Sequence, residues 1–345
     1  MKSIKVVLWG LGSMGSGMAK YLIDKQGIEI TGAIAHRESK KGKDLAEFID
    51  REEETGVKIV NDPLAVIKED VDVVLHATSS FVTEVFEQLK LIVEQKVNVI
   101  TIAEEMAYPS VVDEDITAKL NQLAEENGVS ILGTGINPGF VLDLLILTMT
   151  GACTEVNKIE AARVNDLSPF GPTVMKTQGV GTTVEEFKKG VNEGKIVGHI
   201  GFQQSIQMIA DRLGWKLDEI VERREPIVSE TNRQTPHVKV APGMVAGCKH
   251  IAHGIVDGEK KIVLEHPQQI HPGKEGVDTG DYIKIDGIPG INVANKPEIP
   301  GGIGTMAVAI NMIPHIINTK AGLVTMSDLP VPSALIGDVR EMIKQ

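Results

Sequence analysis

Residues 4–15, IKVVLWGLGSMG, decide the fold. A short run of strand-type composition leads into Gly10-x-Gly12-x-x-Gly15, and a segment with helical spacing follows it. A second strand-type run, IEITGAIA, occupies residues 28–35. In such a strand–turn–helix the first glycine permits a tight turn, the second lets backbone N–H groups approach a pyrophosphate, and the third allows close helix–strand packing. The stretch predicts a dinucleotide-binding βαβ unit; a glycine-rich turn without a ligand is the weaker alternative.

The alternation of strands and helices continues beyond this unit. Strand-type runs at 71–78, 97–103 and 129–135 are separated by helical segments, which is typical of a doubly wound parallel sheet. Past about residue 140, strands of period-two character are separated by glycine and proline turns instead. An apolar helix is expected over 304–318, with a kink at Pro314.

The predicted fold class is therefore α/β, with an N-terminal Rossmann-type doubly wound parallel sheet and a second α+β domain for substrate binding and dimerisation. The predicted boundaries are 1–140 for the dinucleotide-binding domain, 141–303 for the second domain, and 304–345 for a C-terminal helical segment that packs back at the domain junction.

Composition excludes several classes of function. A net charge of −12 and only 3% aromatic residues disfavour nucleic acid and anionic membranes as partners. The apolar run at the N-terminus is too short for a signal peptide, and no stretch approaches the roughly 18 apolar residues of a membrane span. Two cysteines, Cys153 and Cys248, exclude a disulfide scaffold and favour the cytoplasm. We expect both to be buried small residues.

The residues at the end of the second strand indicate whether the coenzyme is NAD or NADP. A fold specific for NAD usually places an acid there, roughly 20 residues beyond the glycine loop. This chain has Ala35, His36 and Arg37 instead, so a 2′-phosphate meets no carboxylate and Arg37 can pair with it. We predict NADP, with NAD also accepted; the alternative is that both side chains only solvate a loop. The candidate coenzyme-binding residues are Gly10, Leu11, Gly12, Ser13, Met14, Gly15, His36, Arg37, Ala77, Thr78, Ser79, Ala103 and Asn137.

Two glutamates, Glu104 and Glu105, follow the strand at 97–103, and Asn137 follows the strand at 129–135. Ligands of open α/β sheets bind at the carboxyl ends of the strands. Neighbouring residues of an extended chain point to opposite sides, so we expect only one glutamate to enter the cleft. The residues alone leave open which one it is.

Several longer motifs carry a resemblance to a known family. IAEEMAYP, GTGINPGF, AARVNDLS, VLEHPQQIHP and PGGIGTMAVAINMIP, together with GLGSMG, resemble the 2,4-diaminopentanoate dehydrogenases of anaerobic ornithine breakdown. Native amine dehydrogenases are close relatives, and the wider superfamily contains dihydrodipicolinate reductase. The resemblance spans essentially the whole chain. It implies NAD(P)-dependent oxidative deamination of 2,4-diaminopentanoate to 2-amino-4-oxopentanoate and ammonia, reductive amination of 4-oxo acids or ketones in reverse, and a homodimer.

The resemblance also implies roles for particular residues, namely Glu104 as the catalytic group and Asn137, Arg163, Asn165, His266 and Thr305 as substrate-binding residues. The residues themselves are also compatible with purely structural roles. Arg163 and Asn165 alternate on one strand face, where Arg163 suits a carboxylate or an ordinary ion pair. A lone histidine such as His266 is more often structural, and Thr305 is placed to cap a helix.

No metal site is expected, because His250 and His253 beside Cys248 lack the spacing typical of zinc ligands. Two rival functions stay open at this point. One is a reductase of cyclic imines or enamines resembling dihydrodipicolinate reductase, although a lysine- and histidine-rich signature for it is not evident. The other is a non-catalytic dinucleotide sensor. The amine dehydrogenase reading uses Glu104 as a general base for the substrate ammonium and then for water.

Overall fold

A computed structural model describes residues 2–344, which divide into two compact units. The first unit runs to Phe140 and resumes at Pro300, and the second unit is Val141–Ile299. None of the helices within the described residues combines the length and apolar character needed to cross a membrane.

The strands are numbered along the chain. They are β1 (Ile4–Trp9), β2 (Ile28–Ile34), β3 (Ile59–Val60), β4 (Val73–His76), β5 (Asn98–Thr101), β6 (Ser130–Gly133), β7 (Glu155–Asp166), β8 (Glu219–Val228), β9 (Arg233–Gln234), β10 (Lys239–Val240), β11 (Val245–Val256), β12 (Glu259–Gln269), β13 (Gly280–Ile288), β14 (Ile291–Asn295) and β15 (Gly322–Val324).

The helices are numbered in the same way. They are α1 (Ser13–Leu22), α2 (Val82–Glu94), α3 (Glu114–Asn127), α4 (Leu144–Thr150), α5 (Pro172–Thr177), α6 (Val184–Asn192), α7 (Phe202–Leu213), α8 (Gly301–Asn311) and α9 (Ile313–Asn318). A 3₁₀ turn at Glu104–Ala107 follows β5.

The first unit is built on a seven-stranded sheet in the order β15-β6-β5-β4-β1-β2-β3, and all its neighbouring strands are parallel. β1 lies near the centre, and only Lys5 of its six residues is not buried. Strands covered on both faces have continuous apolar sequences. The apolar sequence IKVVLW therefore predicts a strand in the interior of the sheet, where β1 lies. The predicted doubly wound α/β fold is confirmed.

The core of this unit forms where helices cover the sheet. Val85, Leu89 and Ile92 of α2 are fully buried at helical spacing and belong to one cluster with Val7 and Val74 of the sheet. Complete burial of an aliphatic side chain stabilises the fold by about 1.5–3 kcal/mol. This packing holds the carboxyl ends of β1, β4 and β5 in fixed register.

The second unit contains a six-stranded mixed sheet in the order β14-β13-β7-β12-β11-β8. β7 and β12 pair in parallel, and the other neighbours are antiparallel. From Ile159 onward the alternate residues of β7, including Arg163 and Asn165, are buried. The predicted shared face of these two residues is thus confirmed. Helix α7 packs on the sheet at Gly254, where an added Cβ would lie 2.8 Å from Ile206.

The structure differs from the sequence predictions at several boundaries. The late apolar helix is two helices, α8 and α9, because Pro314 in the first turn of α9 has no N–H to continue α8. The hairpin of β13 and β14 was not predicted, since Gly and Pro interrupt its short apolar alternation. Cys248 is buried, but the prediction of a buried Cys153 is wrong. Cys153 is half-buried between α4 and β7, and its thiol donates to the Pro289 carbonyl (3.3 Å).

A buried arginine, Arg233, forms hydrogen bonds and an ion pair with several loops of the second unit. Arg233 is 1% exposed; its Nε donates to Ser229 Oγ (2.7 Å) and its Nη1 to Gln269 Oε1 (2.7 Å). Its Nη2 forms an ion pair with Glu275 Oε2 (2.5 Å). The other oxygen of Glu275 accepts from the Glu230 amide (2.8 Å). Burial alone would raise the pKa of Glu275, but these contacts outweigh it and lower the pKa to about 2.

This lowered pKa predicts an acid-dependent loss of stability. A carboxyl group that titrates near 4.3 in the unfolded chain and near 2 in the folded one stabilises the fold above about pH 4. This contribution is lost as the pH falls from about 4 towards 2. We expect Glu275→Gln to lower the free energy of urea unfolding at pH 6, with a deficit that shrinks towards pH 3.

Glu230→Gln, at an exposed carboxylate of the same loop, is the matched control and should change little. A deficit for Glu275→Gln that is the same at pH 6 and pH 3 would contradict the role assigned to the charge.

Candidate functional site

The glycine loop of the first unit has the geometry that its sequence predicts. Gly10 has φ +102°, and an added Cβ would lie 2.2 Å from the Ala77 carbonyl oxygen. A Cβ on Gly15 would lie 1.8 Å from the carbonyl oxygen of Gly10. A Cβ on Gly12, by contrast, would meet nothing within 4 Å among the described residues. The loop is packed below and open above Gly12, where a pyrophosphate would approach the N-terminus of α1.

A cleft of about 520 Å³ opens beside this loop at the carboxyl ends of β1, β2 and β4. Seven of the predicted coenzyme-binding residues line it, namely Gly10, Leu11, Gly12, His36, Arg37, Ala77 and Thr78. Ser13, Met14, Gly15, Ser79, Ala103 and Asn137 are not among its lining residues, so their predicted contact with the coenzyme stays a prediction. The open cleft and the packed loop fit a dinucleotide.

Lys40 also lines this cleft, and sequence reasoning missed it. Its ammonium group donates to the Leu11 carbonyl and lies 4.7 Å from the centre of the Phe48 ring. Burial, and then the nearby charge of Arg37, lower the pKa of Lys40. An anion bound between the two cations would relieve their repulsion. The signal in the sequence was the basic run RESKK, of which only Arg37 was interpreted.

A buried histidine supports the floor of the cleft. His76 is fully buried at the end of β4; its Nε2 contacts Gln88 Oε1 (2.6 Å) and its Nδ1 contacts Thr101 Oγ1 (3.0 Å). Burial lowers the pKa of His76 to about 4, so the ring is neutral. Because the amide oxygen of Gln88 only accepts, Nε2 carries the proton. Thr78 donates to the same amide oxygen (2.7 Å), so this network orients Thr78 in the cleft.

The two glutamates after β5 have different surroundings. Glu105 Oε2 accepts from the backbone N–H of Val82 (2.8 Å), the first residue of α2. A carboxylate at a helix N-terminus satisfies a free donor and suits the helix dipole, so Glu105 is a structural group. Glu104 is half-buried, and its carboxylate has no hydrogen-bond or ion-pair partner within residues 2–344. Of the two, Glu104 is therefore the group available to a ligand.

Asn137 and Thr305 are brought close together in the first unit. The Thr305 hydroxyl lies in α8 and accepts from the backbone N–H of Ile136 (3.2 Å), next to Asn137. The alternative of Thr305 as a helix N-cap is wrong, because α8 begins at Gly301 with Pro300 in the cap position. The hydroxyl instead joins the loop after β6 to α8.

Asn165 and His266 lie on the paired strands β7 and β12 of the second unit. His266 Nε2 contacts Asn165 Oδ1 (3.0 Å), and both side chains are 6% exposed. With the amide oxygen as acceptor, Nε2 carries the proton and Nδ1 keeps its lone pair. Burial lowers the pKa of His266 well below its usual value. Nδ1 is buried and has no hydrogen-bond partner in the described part of the chain, so it can accept a hydrogen bond from a ligand.

Arg163 is already paired in this structure. Its guanidinium forms a buried ion pair with Asp281, directly opposite on β13, and also donates to the Ile299 carbonyl. Both terminal nitrogens are thus engaged before any substrate arrives. The predicted contact with a substrate carboxylate stays a prediction, and such a carboxylate would have to share the guanidinium with Asp281.

His199 is a second residue that sequence reasoning missed. It lies between α6 and α7, and its ring packs edge-to-face on His266 with 4.9 Å between the ring centres. Burial lowers the pKa of His199 to about 3. Its flanking glycines in VGHIGF were a signal of an irregular, closely packed segment.

Comparison with known proteins places this site in a family. The sequence model described as the C-terminal domain of 2,4-diaminopentanoate dehydrogenase matches residues 140–345. The model described as the N-terminus of dihydrodipicolinate reductase matches residues 4–108.

Full-length relatives agree with these matches. The chain is 52% identical to a 2,4-diaminopentanoate dehydrogenase from Acetoanaerobium sticklandii, over 100% of this chain and 98% of that protein. It is 25% identical to an amine dehydrogenase from Streptomyces virginiae, over 96% and 98% of the two chains. The solved amine dehydrogenase from Mycobacterium smegmatis superposes with a TM-score of 0.83 at 26% identity, over 96% of this chain and 97% of that one.

These findings confirm the resemblance seen in the sequence motifs, and with it the prediction of an NAD(P)-dependent oxidoreductase of the amine dehydrogenase type. The chain belongs to the 2,4-diaminopentanoate dehydrogenase family.

Proposed function

We propose that the chain catalyses oxidative deamination of 2,4-diaminopentanoate at its 4-amino group, giving 2-amino-4-oxopentanoate and ammonia. In reverse it would aminate 4-oxo acids or ketones. The observation that carries the proposal is the 52% identity to a 2,4-diaminopentanoate dehydrogenase along the full chain. The dinucleotide cleft and the half-buried Glu104 support it.

The first unit supplies the coenzyme site. Bound NAD(P)⁺ provides the acceptor for the hydride that leaves the substrate. The backbone around Gly12 and the N-terminus of α1 hold the pyrophosphate. Arg37 and Lys40 hold the 2′-phosphate of NADP by charge-assisted hydrogen bonds. The residues beside this phosphate give the site its preference for NADP over NAD.

Glu104 acts as the general base. It takes a proton from the substrate ammonium, so that the free amine can release hydride from its carbon. Glu104 passes this proton to solvent and then removes a proton from the water that adds to the resulting iminium. It returns that proton to the carbinolamine nitrogen, which leaves as ammonia while the hydroxyl group loses its proton and becomes the carbonyl. Its negative charge also favours the iminium over the neutral amine. Glu105 cannot share this work, because its carboxylate caps α2.

In this proposal Asn137, Thr305, Asn165 and His266 are substrate-binding residues, as membership of the family supports. The bare Nδ1 of His266 suits a donor such as a substrate amino group. Arg163 suits the carboxylate, provided that the guanidinium can serve Asp281 at the same time.

We also propose a homodimer in the cytoplasm. The family resemblance supports the dimer, as do exposed apolar residues on both edge strands of the second sheet, Val221 and Val228 on β8 and Val293 on β14. Two unpaired cysteines support a reducing compartment. Light scattering of the full chain, which measures the mass in solution, decides the first point.

The reaction class is tested in the reductive direction. We expect 4-oxopentanoate to support NADPH oxidation only when ammonia is present, because the enzyme must form an iminium before hydride transfer. A cyclic imine should be a poor substrate. Oxidation of NADPH on the cyclic imine without ammonia, and none on the keto acid, would favour the imine reductase and overturn the proposal.

The base is tested by a matched pair of variants. Glu104→Gln should lower turnover by about 100-fold or more, the usual scale for a positioned acid–base group, while coenzyme affinity stays unchanged. Glu105→Gln keeps an acceptor for the Val82 amide and should retain most of the turnover. Steady-state kinetics and coenzyme titration measure both effects. Reversed effects would mean that Glu105 is the base, and near-normal turnover in both variants would remove the role.

Coenzyme preference is tested at the two cations of the cleft. Arg37→Ala and Lys40→Met should each weaken NADP by about one to two decades, the worth of a charge-assisted contact, and weaken NAD much less. Lys41→Ala is the control, because Lys41 is exposed and does not line the cleft. Equal losses for NADP and NAD, measured by fluorescence titration, would show that the cations do not bind the 2′-phosphate.

A further inference from the structure

The segment 197–199 of the second unit has no regular secondary structure, yet its backbone forms hydrogen bonds within the protein. The Val197 carbonyl accepts from Arg224 Nε (2.6 Å), and the Gly198 carbonyl accepts from Gln178 Nε2 (2.8 Å). Buried backbone groups outside helices and strands need such partners. Side chains of distant residues therefore decide where this segment, and His199 at its end, is placed.

His250 accepts a hydrogen bond from the backbone of His199. The backbone N–H of His199 donates to Nδ1 of His250 (3.0 Å), on β11. On the other side of the ring, Nε2 contacts Glu222 Oε2 (2.9 Å), on β8. Because an N–H group donates to Nδ1, that nitrogen carries no proton, and Nε2 must be the donor to Glu222. The fully buried imidazole is thus held as one neutral tautomer.

Glu222 is itself held in place. Arg224 Nη2 donates to the same oxygen (3.1 Å), and Gln203 also hydrogen-bonds the carboxylate. Burial opposes the charge, but the hydrogen bond from His250 and the other contacts outweigh it and lower the pKa of Glu222. The carboxylate stays ionised and fixes the acceptor nitrogen of His250 towards the segment.

The position of His199 affects His266, the proposed substrate-binding histidine, because the two rings pack on each other. The His199 ring lies edge-to-face against His266 at 4.9 Å and 73°, and against Phe202 at 4.9 Å and 75°. Phe202 in turn packs on the His250 ring at 4.8 Å. The ring of His266, with its bare Nδ1, is therefore braced by a residue whose backbone His250 anchors.

Gly198 shows how closely the segment fits against His250. Its φ is +70°, and an added Cβ would lie 2.9 Å from Nδ1 of His250. A side chain at this position would press on the acceptor atom that receives the His199 amide. Only glycine leaves the contact intact.

We propose that His250, oriented by Glu222, is a positioning residue that sets the His199–His266 ring pair for binding of the amine substrate. The inference rests on the proposed function in one respect, the contact between His266 and the substrate. His250 itself acts through His199 and does not touch the reacting atoms.

Two amide variants separate the anchoring role of His250 from simple packing. His250→Asn keeps an acceptor at the δ position, where the His199 amide can still donate. His250→Gln keeps an amide near the ε position, facing Glu222, but offers no acceptor at the δ position. His253→Gln on the same strand is the control, since His253 is also a buried histidine, but among the described residues it forms no hydrogen bond or ring pair with His199.

The kinetic result expected is a split between substrate and coenzyme. His250→Gln should raise KM for the amine substrate about tenfold or more, with coenzyme affinity unchanged, because the coenzyme cleft belongs to the first unit. His250→Asn should recover most of the loss, and His253→Gln should behave like wild type. Equal effects of the Asn and Gln variants, in parallel with their melting temperatures, would overturn the positioning role.

A second readout is independent of activity. In NMR spectra of histidine-labelled protein, His250→Gln should shift the His199 amide and the ring signals of His199 and His266, and His250→Asn should restore them. Unchanged ring signals in His250→Gln would overturn the inference even in an active enzyme. An inactive wild type with the expected shifts would overturn the proposed function alone.

Discussion

The close approach of Gly10, Gly15 and Ala77 is the constraint on which the first unit depends. A single added carbon at Gly10 or Gly15 would lie about 2 Å from a carbonyl oxygen, closer than any real contact allows. Only glycine lets β1 turn sharply into α1 beside β4. That turn aims the free N–H groups of α1 at open space above Gly12, and the rest of the cleft is assembled around this anion site.

A second constraint shapes the other unit, where polar side chains are buried and must satisfy one another. Arg163 pairs with Asp281, His266 with Asn165, and His250 with Glu222, each across neighbouring strands of one sheet. Breaking one member of such a pair leaves its partner unsatisfied, which costs more than the hydrogen bond contributes. Strand register therefore fixes the direction of every group, and one donor or acceptor left over, such as His266 Nδ1, is available to a ligand.

Much of this was predictable from the sequence, because the deciding signals are local. The glycine loop, the apolar strands and the spacing of Arg163 and Asn165 each lie within a few residues. The pairing of Arg163 with Asp281 joins positions 118 residues apart, so the residues around Arg163 did not decide between a substrate carboxylate and an ion pair. His199 and Lys40 escaped notice for a similar reason. Neither belongs to a periodic segment, and each is identified only by a contact with a residue far away in the sequence. His199 packs on His266, and Lys40 donates to the Leu11 carbonyl.

Glu104 and Glu105 also show that contacts in the folded structure, rather than position in the sequence, separate the roles of neighbouring residues. Both follow β5, but one carboxylate is used by the N-terminus of α2 and the other is left to a ligand. The most direct measurement of the central claim is the stoichiometry of the oxidative reaction on 2,4-diaminopentanoate. For each molecule consumed, we expect one reduced coenzyme and one ammonia, with 2-amino-4-oxopentanoate as the product. Coenzyme reduction without ammonia release, or no consumption of this diamine with either coenzyme, would contradict it.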